Sequence, residues 1–267
     1  MNYQCIRVDT HEGVTTVTLN RPQRRNALNR EMITEIVALL EAVKQGTETR
    51  VIVLTGAGES FCSGADAKAF AGGAGLHPQT SPEGKRQVTR DIAFSLFTGI
   101  RNVAVPVIAM VNGDAAAGGC DLALACDIRI GSERARFIEG FVKIGLLPGT
   151  GGCWLLPRMV GLSKAAEMIF TGDPLGAEEA ARLGLLSRLV PHGELQPCTM
   201  ELARRIAAGA PIAIRLAKMV MQRSLDLTFE TSLELTATSE AIALTSEDHR
   251  EGLAAFLEKR PAIFHGR

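Results

Sequence analysis

The feature that most constrains the fold is a junction that occurs twice, in which an apolar strand runs into a glycine- and alanine-rich loop and then a helix. The first joins Val51–Leu54 to TGAGESFCSGAD, and the second joins Val107–Val111 to NGDAAAGGCDLALACD. The first N–H groups of each helix have no partner inside it, so they attract negative charge. Two such loops facing one point would form an oxyanion hole from backbone groups, although ordinary βα turns share this pattern.

The two loops lack the motifs of other α/β enzyme classes. Gly56-Ala-Gly58 is not followed by the third glycine of a dinucleotide-binding fingerprint, and no GK[ST] phosphate loop occurs. There is no GxSxG elbow for a nucleophilic serine, and the five histidines have no metal-ligand spacing. These absences disfavour nicotinamide-dependent enzymes, ordinary hydrolases and metalloenzymes.

The alternation of strand and helix patterns predicts an α/β fold. Apolar runs rich in β-branched residues predict strands at Val14–Leu19 and at the two junctions. Helical periodicity predicts helices that begin near Asn29 and near Gly84. A chain in which the two patterns alternate is expected to build a largely parallel sheet covered by helices.

The strand patterns end at about Met200, and apolar residues recur at helical spacing from there to the end. We therefore expect residues 1–199 to form the α/β core with the functional site, and residues 200–267 to form a helical region that packs on a partner subunit. The glycine- and proline-rich segment 72–82 predicts a mobile loop over a site.

Composition limits the cellular compartment and the classes of binding partner that this chain is expected to have. The 29 Lys and Arg residues balance 29 Asp and Glu residues, which disfavours nucleic acid and anionic membranes as partners. Residues 1–10 lack a signal-peptide pattern, and the least charged stretch, 102–126, contains acidic residues that a membrane would exclude. Six cysteines without a CxxC pair predict reduced thiols. We expect a cytoplasmic protein.

Further blocks follow one another in a specific order along the chain. They are LNRP with NAL, the two junction loops, GLLPGTGG, LPRMVG, TG, EEAARLGL and a tail EG…FLEKR. Together they resemble the enoyl-CoA hydratase/isomerase (crotonase) family over nearly the whole chain. The resemblance implies a spiral of ββα units with a helical C-terminal oligomerisation region, and a homo-oligomer (a trimer or a dimer of trimers). It also implies acyl-CoA thioester substrates in fatty acid metabolism. No metal or redox cofactor is implied, because coenzyme A enters as part of the substrate.

The resemblance also implies the substrate contacts. The backbone N–H groups of Ala65 and Gly118 would polarise the thioester carbonyl and stabilise an enolate. Arg24 and Arg25 would meet the phosphates of coenzyme A, and a solvated surface position is the alternative for each cation. The full set of implied substrate- and CoA-binding residues is Arg24, Arg25, Ala27, Ser63, Gly64, Asp66, Lys68, Phe141 and Lys259. Lys259 would reach the ligand of a neighbouring subunit, and turn or cap positions are favoured for Asp66 and Asp114.

The acid and base positions depart from the family pattern. Hydratases of the family hold a water between two glutamates, whose positions here carry Asp121 and Phe141. The position of the isomerase acid carries Gly149. Asp121 is therefore the predicted general acid/base, with helix capping as the alternative. In an extended segment Glu139 would share a face with Phe141, and a structural role is favoured for it.

These departures leave several functions open. The leading prediction is an acyl-CoA enzyme that works through a thioester enolate and hydrates crotonyl-CoA weakly, because the second carboxylate is missing. One-carboxylate reactions remain open: isomerisation, decarboxylation, thioester hydrolysis or carbon–carbon cleavage. A further alternative is an acyl-CoA-binding protein with little turnover.

Overall fold

The predicted strands form the main sheet of the computed structural model, which describes residues 3–66 and 81–267. Its strands are β1 (Ile6–His11), β2 (Val14–Leu19), β3 (Val51–Gly56), β5 (Val107–Val111), β7 (Ile128–Ser132) and β10 (Arg188–Val190). They lie side by side in that order, with β1 antiparallel to β2 and every other neighbouring pair parallel. The three strands expected from the sequence are confirmed.

A smaller sheet lies beside the main one, and each glycine-rich loop contributes one short strand to it. Its strands are β4 (Ser60–Cys62), β6 (Asp114–Ala116), β8 (Arg136–Ile138) and β9 (Pro174–Gly176), in that order. Each junction is therefore a long strand, a turn and a short second strand, and not a single loop as the sequence analysis expected. Three residues are too few to show a strand periodicity, which is why β4 and β6 escaped prediction.

Helices surround the two sheets. The described α-helices are α1 (Arg30–Gln45), α2 (Pro82–Val88), α3 (Phe94–Asn102), α4 (Gly118–Ala125), α5 (Gly152–Val160), α6 (Leu162–Thr171), α7 (Ala177–Arg182), α8 (Leu195–Ala207), α9 (Pro211–Ser224), α10 (Phe229–Thr245) and α11 (Glu247–Glu258). Asn29 caps α1 by accepting the amide of Met32 at 3.0 Å, and Ser81 caps α2. The two predicted helix starts are confirmed.

The core lies on both faces of the main sheet. In β3, Ile52 and Leu54 face a large apolar cluster that includes the buried faces of α1, α3 and α4. The alternate residues, Val51 and Val53, face a second cluster built with α8. Because both faces are covered, every residue of β3 and β5 is buried, as expected for parallel strands inside an α/β fold.

The C-terminal region is helical, as predicted, from α8 to α11. Met200 lies inside α8, which packs on the main sheet, and the division at residues 199 and 200 stays a prediction. Lys68, the helical pattern after Asp66 and residues 72–80 of the expected loop lie outside the described residues. All six cysteines lie in the described part and are free thiols. None of the described helices combines the length and apolar character needed to cross a bilayer.

Candidate active site

The two glycine-rich junctions meet at Ala65 and Gly118. Ala65 bridges to Leu28, and the flanking Gly64 carbonyl and Asp66 amide make the hydrogen bonds to Leu28 at 2.8 and 3.0 Å. In a parallel bridge of this kind, the N–H of the central residue points away from the partner strand. A Cβ on Gly118 would lie 3.9 Å from the Ala65 nitrogen, so the Ala65 amide and the start of α4 adjoin each other.

Glycine is required at position 64 for this approach. Gly64 has a φ of +87°, and a Cβ there would lie 2.9 Å from the Ala116 carbonyl oxygen and 3.1 Å from the Gly118 nitrogen. The opposite loop carries a strained residue, because Ala117 has a φ of +47° immediately before the first residue of α4. The two junctions are therefore held backbone to backbone at the point where the sequence analysis placed both donors.

A cleft of about 500 Å³ opens beside these amides. The residues that line it are Gln23, Arg24, Arg25, Ala27, Ser63, Ala65, Asp66 and Ala116. Six of these were predicted from the sequence as substrate contacts or donors, and the structure brings them together along one surface. Arg24 and Arg25 are exposed, so they bring positive charge to the mouth of the cleft.

A buried asparagine holds the arginine-bearing turn in place. Asn26 is fully buried, and its side-chain amide donates to the carbonyls of Ala57 and Ser60 at 2.9 and 2.8 Å. Its Oδ1 accepts the amide of Arg21 at 3.0 Å, which closes the turn. The turn that carries Arg24 and Arg25 is thus fixed to the turn after β3 and to the first residue of β4.

Two acidic residues beside the loops are ion-paired. Asp114 lies in a strand, which corrects the turn or cap role expected for it, whereas that expectation stays a prediction for Asp66 because the residues that follow it lie outside the described part. Asp66 accepts Arg21 Nη2 at 2.8 Å on the wall of the cleft. Asp114 lies in β6 and forms a two-point ion pair with Arg136 at 2.7 and 2.8 Å. Both carboxylates are therefore engaged by guanidinium groups of the same chain.

Asp121 lies one helical turn after Gly118 and is fully buried. One oxygen, Oδ2, accepts the Thr150 amide at 3.2 Å and also the Thr150 hydroxyl. The N-cap of α4 is Ala117, so Asp121 is not the capping residue that the alternative interpretation required. Burial raises the pKa of Asp121 to about 6, against the opposing effect of the hydrogen bonds from Thr150. A carboxyl group with this pKa can exchange protons near neutral pH.

Glu139 is the second buried carboxyl group in this region. It follows β8, and the chain then turns into a 3-10 helix over Gly140–Ile144 that contains Phe141. The segment is therefore not extended, so the condition under which Glu139 and Phe141 would share a face is not met. Instead, Glu139 faces Asp121, whose negative charge adds to the effect of burial in raising the pKa of Glu139 to about 8.

Comparison with known proteins identifies the fold and the family. A family model described as "Enoyl-CoA hydratase/isomerase" matches residues 9–267. The chain belongs to the enoyl-CoA hydratase/isomerase family. It is 40% identical to a "Probable enoyl-CoA hydratase" of Rhodobacter capsulatus, with 100% of both chains covered. It is 35% identical to the 1,2-epoxyphenylacetyl-CoA isomerase of Escherichia coli, with 96% of both covered.

A solved structure supports the same assignment. The crystal structure of an enoyl-CoA hydratase from Bacillus anthracis superimposes with a TM-score of 0.92 at 35% identity, covering 99% of this chain and 100% of that one. The expected crotonase-like α/β fold with a helical C-terminal region is therefore confirmed. The protein is an enzyme of the enoyl-CoA hydratase/isomerase family.

The two sequence positions that lack the acids expected from the family resemblance are Phe141 and Gly149. Phe141 is half-buried in its 3-10 helix and does not line the cleft, so its predicted substrate contact remains a prediction. Gly149 is exposed and directly precedes Thr150, the residue that donates to Asp121. Lys259 is the C-cap that follows α11, and it is likewise absent from the described lining of the cleft.

Sequence reasoning missed three residues of the site. Thr150 and Gly152 contact Asp121 from 29 and 31 positions away, and no spacing rule connects them. Asn26 was quoted as part of the NAL block, but an asparagine in a turn gives no sign that it is fully buried. The glycine run GTGG was the one available signal, because repeated glycines indicate that the backbone passes close to another group.

Proposed function

We propose that this enzyme catalyses proton transfer at the carbons of an acyl-CoA thioester through an enolate, with isomerisation of an enoyl-CoA as its simplest reaction. The amides of Ala65 and Gly118 would form the oxyanion hole, and Asp121 would remove and return the proton. The observation that carries the proposal is that a buried carboxyl group with a pKa near 6 lies one turn after Gly118, on the helix whose start adjoins the Ala65 amide.

The backbone donors would supply the electrostatic part of catalysis. A thioester enolate concentrates negative charge on its oxygen, and one fixed N–H donor stabilises such a charge by about 3–4 kcal/mol. The backbone contact at Gly64 and the strained Ala117 support a preorganised pair of donors, because both fix the loops before substrate binds.

Hydration would be the slower reaction. Adding water across a double bond requires one group to position the water and another to return a proton, and the position of the second hydratase carboxylate carries Phe141. General acid–base assistance is worth roughly 10²–10⁴-fold. Isomerisation needs a single group that moves a proton between two carbons, which fits Asp121 and is in keeping with the similarity to an acyl-CoA isomerase.

The substrate would bind with its nucleotide at the cleft mouth. Arg24 and Arg25 supply cations for the phosphates, and Ala27, Ser63 and Asp66 line the same surface. Coenzyme A would then be a part of the substrate, and no metal or redox cofactor would take part.

We further propose that the protein forms a homo-oligomer through its C-terminal helices. Large apolar side chains stand exposed on α10 and α11, including Phe229, Phe256 and Leu257 at 73%, 80% and 71% exposure. An apolar patch of this kind is typical of an interface between subunits. Light scattering that reports a monomer would contradict this. The cytoplasmic location stays a prediction.

The proposal is tested by following hydrogen exchange and isomerisation of 3-hexenoyl-CoA in D₂O by mass spectrometry. The wild-type protein is expected to incorporate deuterium and form 2-hexenoyl-CoA, and to hydrate crotonyl-CoA more slowly. Asp121→Asn should reduce exchange by at least 100-fold while the dissociation constant for the CoA ester stays within a few-fold.

Two outcomes would contradict the proposal. Micromolar binding with no exchange above the uncatalysed rate, in wild type and variant alike, would favour an acyl-CoA-binding protein with little turnover. Rapid hydration of crotonyl-CoA would show that a residue other than Phe141 replaces the second carboxylate of hydratases.

A further inference from the structure

The buried carboxyl groups of Asp121 and Glu139 come from separate elements and meet at Gly152. Asp121 lies on α4, Glu139 follows β8, and Gly152 is the first residue of α5. A Cβ on Gly152 would overlap Asp121 Oδ1 and lie 3.1 Å from Glu139 Oε1. One oxygen of each carboxyl group therefore lies next to the Cα of Gly152, and both fit there because residue 152 has no side chain.

The pair has few other partners. Within residues 3–66 and 81–267, Asp121 Oδ1 and both oxygens of Glu139 have no hydroxyl or cationic partner. The polar groups beside them are the Gly152 amide, next to Asp121, and the Cys120 thiol, next to Glu139. The titratable groups that face the pair are the thiols of Cys120, on α4, and Cys153, on α5. Neither is a cation. Thr150 serves only the other oxygen of Asp121.

Two adjacent buried carboxylates without a cation cannot both ionise at moderate cost. The loss of hydration disfavours each negative charge, and each charge also raises the cost of the other. Burial and the neighbouring charge raise the pKa of Glu139 to about 8, while burial raises that of Asp121 to about 6. Between these two values the pair holds a single proton. The two hydrogen bonds from Thr150 favour the ionised form of Asp121, whereas neither oxygen of Glu139 has such a donor, so the proton is assigned to Glu139.

We propose that Glu139 is a positioning residue that keeps a proton directed at Asp121, so that Asp121 remains the ionised member of a one-proton pair. This inference rests on the proposed function, and it gives a role to a residue outside the usual acid positions of the family. The hydrogen bond from protonated Glu139 takes the place of a cation beside the buried Asp121 carboxylate. Without it, Asp121 would take up a proton itself and lose its capacity as a base.

The carboxyl pair carries the same number of protons before and after one isomerisation. Asp121 takes the Cα proton of a 3-enoyl thioester, so the C–H bond breaks, its electron pair enters the enolate and the carboxyl pair holds two protons. Asp121 then delivers this proton, or a solvent proton or deuteron that has exchanged with it, to Cγ as the electrons of the enolate form the new C–H bond. The pair returns to one proton, still on Glu139, and no other reactant is consumed.

The first test uses the full chain without substrate, so it does not depend on the proposed function. Infrared spectroscopy across pH 5–10 should show the C=O stretch of a protonated carboxylic acid that persists at pH 7 and disappears near pH 8. Glu139→Gln should remove this band. Asp121→Asn should move its disappearance to lower pH, because the neighbouring charge is then gone. A spectrum without a protonated carboxyl group at pH 7, or a band that survives in Glu139→Gln, would overturn the inference.

The second test is the pH profile of deuterium exchange into 3-hexenoyl-CoA. Wild-type exchange should fall at high pH as Glu139 loses its proton, because Glu139 then no longer donates to Asp121 and repulsion between the two ionised carboxyl groups would displace Asp121 from its position. Glu139→Gln keeps a hydrogen-bond donor that cannot ionise, so exchange should stay within a few-fold of wild type at pH 7 and no longer fall above pH 8. Glu139→Met removes the donor, and the acidic limb should move to higher pH with a loss of about 10-fold or more at pH 7.

A matched control separates this role from a general effect of removing a buried carboxylate. Asp248 is 3% exposed and accepts the amides of His265 and Gly266, away from the cleft. Asp248→Asn should leave the shape of the pH profile unchanged. A high-pH limb that persists in Glu139→Gln would overturn the inference even if exchange is fast. A protein that shows the infrared band but no exchange would contradict the proposed function and leave the one-proton pair standing.

Discussion

The candidate site has two halves that are built in different ways. The backbone half consists of the Ala65 and Gly118 amides, and the carboxyl half consists of Asp121, Glu139 and Thr150. The amides of Ala65 and Gly118 belong to two contiguous loops that touch backbone to backbone. The carboxyl half draws Asp121, Glu139 and Thr150 from three segments and buries both acids completely. The donor geometry therefore depends on local conformation, whereas the chemistry of Asp121 depends on distant side chains and on burial. Substitutions should consequently affect the two halves separately.

The largest effect is expected at Gly152, where a methyl group would separate the carboxyl pair. A Cβ at residue 152 would overlap Asp121 Oδ1 and crowd Pro148 as well as Glu139. Gly152→Ala should lower the free energy of unfolding by about 1–3 kcal/mol because the packed neighbours must shift. Exchange into 3-hexenoyl-CoA should fall by about 100-fold, since a displacement of about 1 Å at a reacting group has this effect.

Gly149→Ala is the matched control in the same loop. Gly149 is exposed, and the nearest atom to a Cβ there would be the Leu147 carbonyl oxygen at 3.7 Å, an ordinary contact. Its unfolding free energy should stay within about 0.5 kcal/mol of wild type. Equal losses in the two variants, measured by denaturant titration and exchange, would show that the loop as a whole matters and the carboxyl pair does not.

The same contrast explains how far the sequence could predict the molecule. The α/β class, the three long strands and the helical C-terminal region follow from periodicity, because burial on one or both faces imposes it. Ala65 and Gly118 could be located as candidate donors because each lies in one contiguous glycine-rich motif. Their catalytic role stays a prediction.

The carboxyl pair was beyond such reasoning. Glu139 lies 18 positions after Asp121, and its contact with Asp121 depends on how β8, α4 and α5 pack. The chain also leaves the extended conformation immediately after β8, at Gly140, which a sequence pattern centred on Phe141 did not reveal. Burial sets the pKa of both acids, and burial is a property of the whole fold.

An intermediate effect is expected at the mouth of the cleft, where removing positive charge should weaken substrate binding without changing the catalytic groups. Replacing both Arg24 and Arg25 by alanine should weaken acetyl-CoA binding by about 10- to 100-fold, since hydrogen bonds to charged groups contribute about 1.5–3 kcal/mol. The loss should shrink at high salt. Titration calorimetry at two salt concentrations measures both effects.

The control for this variant is Arg7→Ala, which removes an exposed cation from β1 and away from the cleft. Its affinity should match wild type. Unchanged binding in the double variant would remove these arginines from the CoA site. The infrared band of the carboxyl pair should be the same in wild type, the double variant and Arg7→Ala, because none of these arginines is a partner of Asp121 or Glu139.

The smallest effect is expected from relieving strain in the backbone half. Ala117 has φ +47° and ψ −121°, a conformation that glycine adopts more readily than alanine. Ala117→Gly should raise the free energy of unfolding by up to about 1 kcal/mol, because relief of the strain exceeds the added entropy of the unfolded chain. Ala116→Gly, one residue earlier in β6, has no positive φ to relieve and should lower stability by about 0.5–1 kcal/mol. If the two variants change stability in the same direction in denaturant titrations, the strain at Ala117 is not what distinguishes this loop. If Ala117→Gly stabilises the protein but slows exchange, the strain at Ala117 orients the Gly118 amide for catalysis. The backbone half would then be less stable than it could be for the sake of function, as is the carboxyl half with its two buried acids.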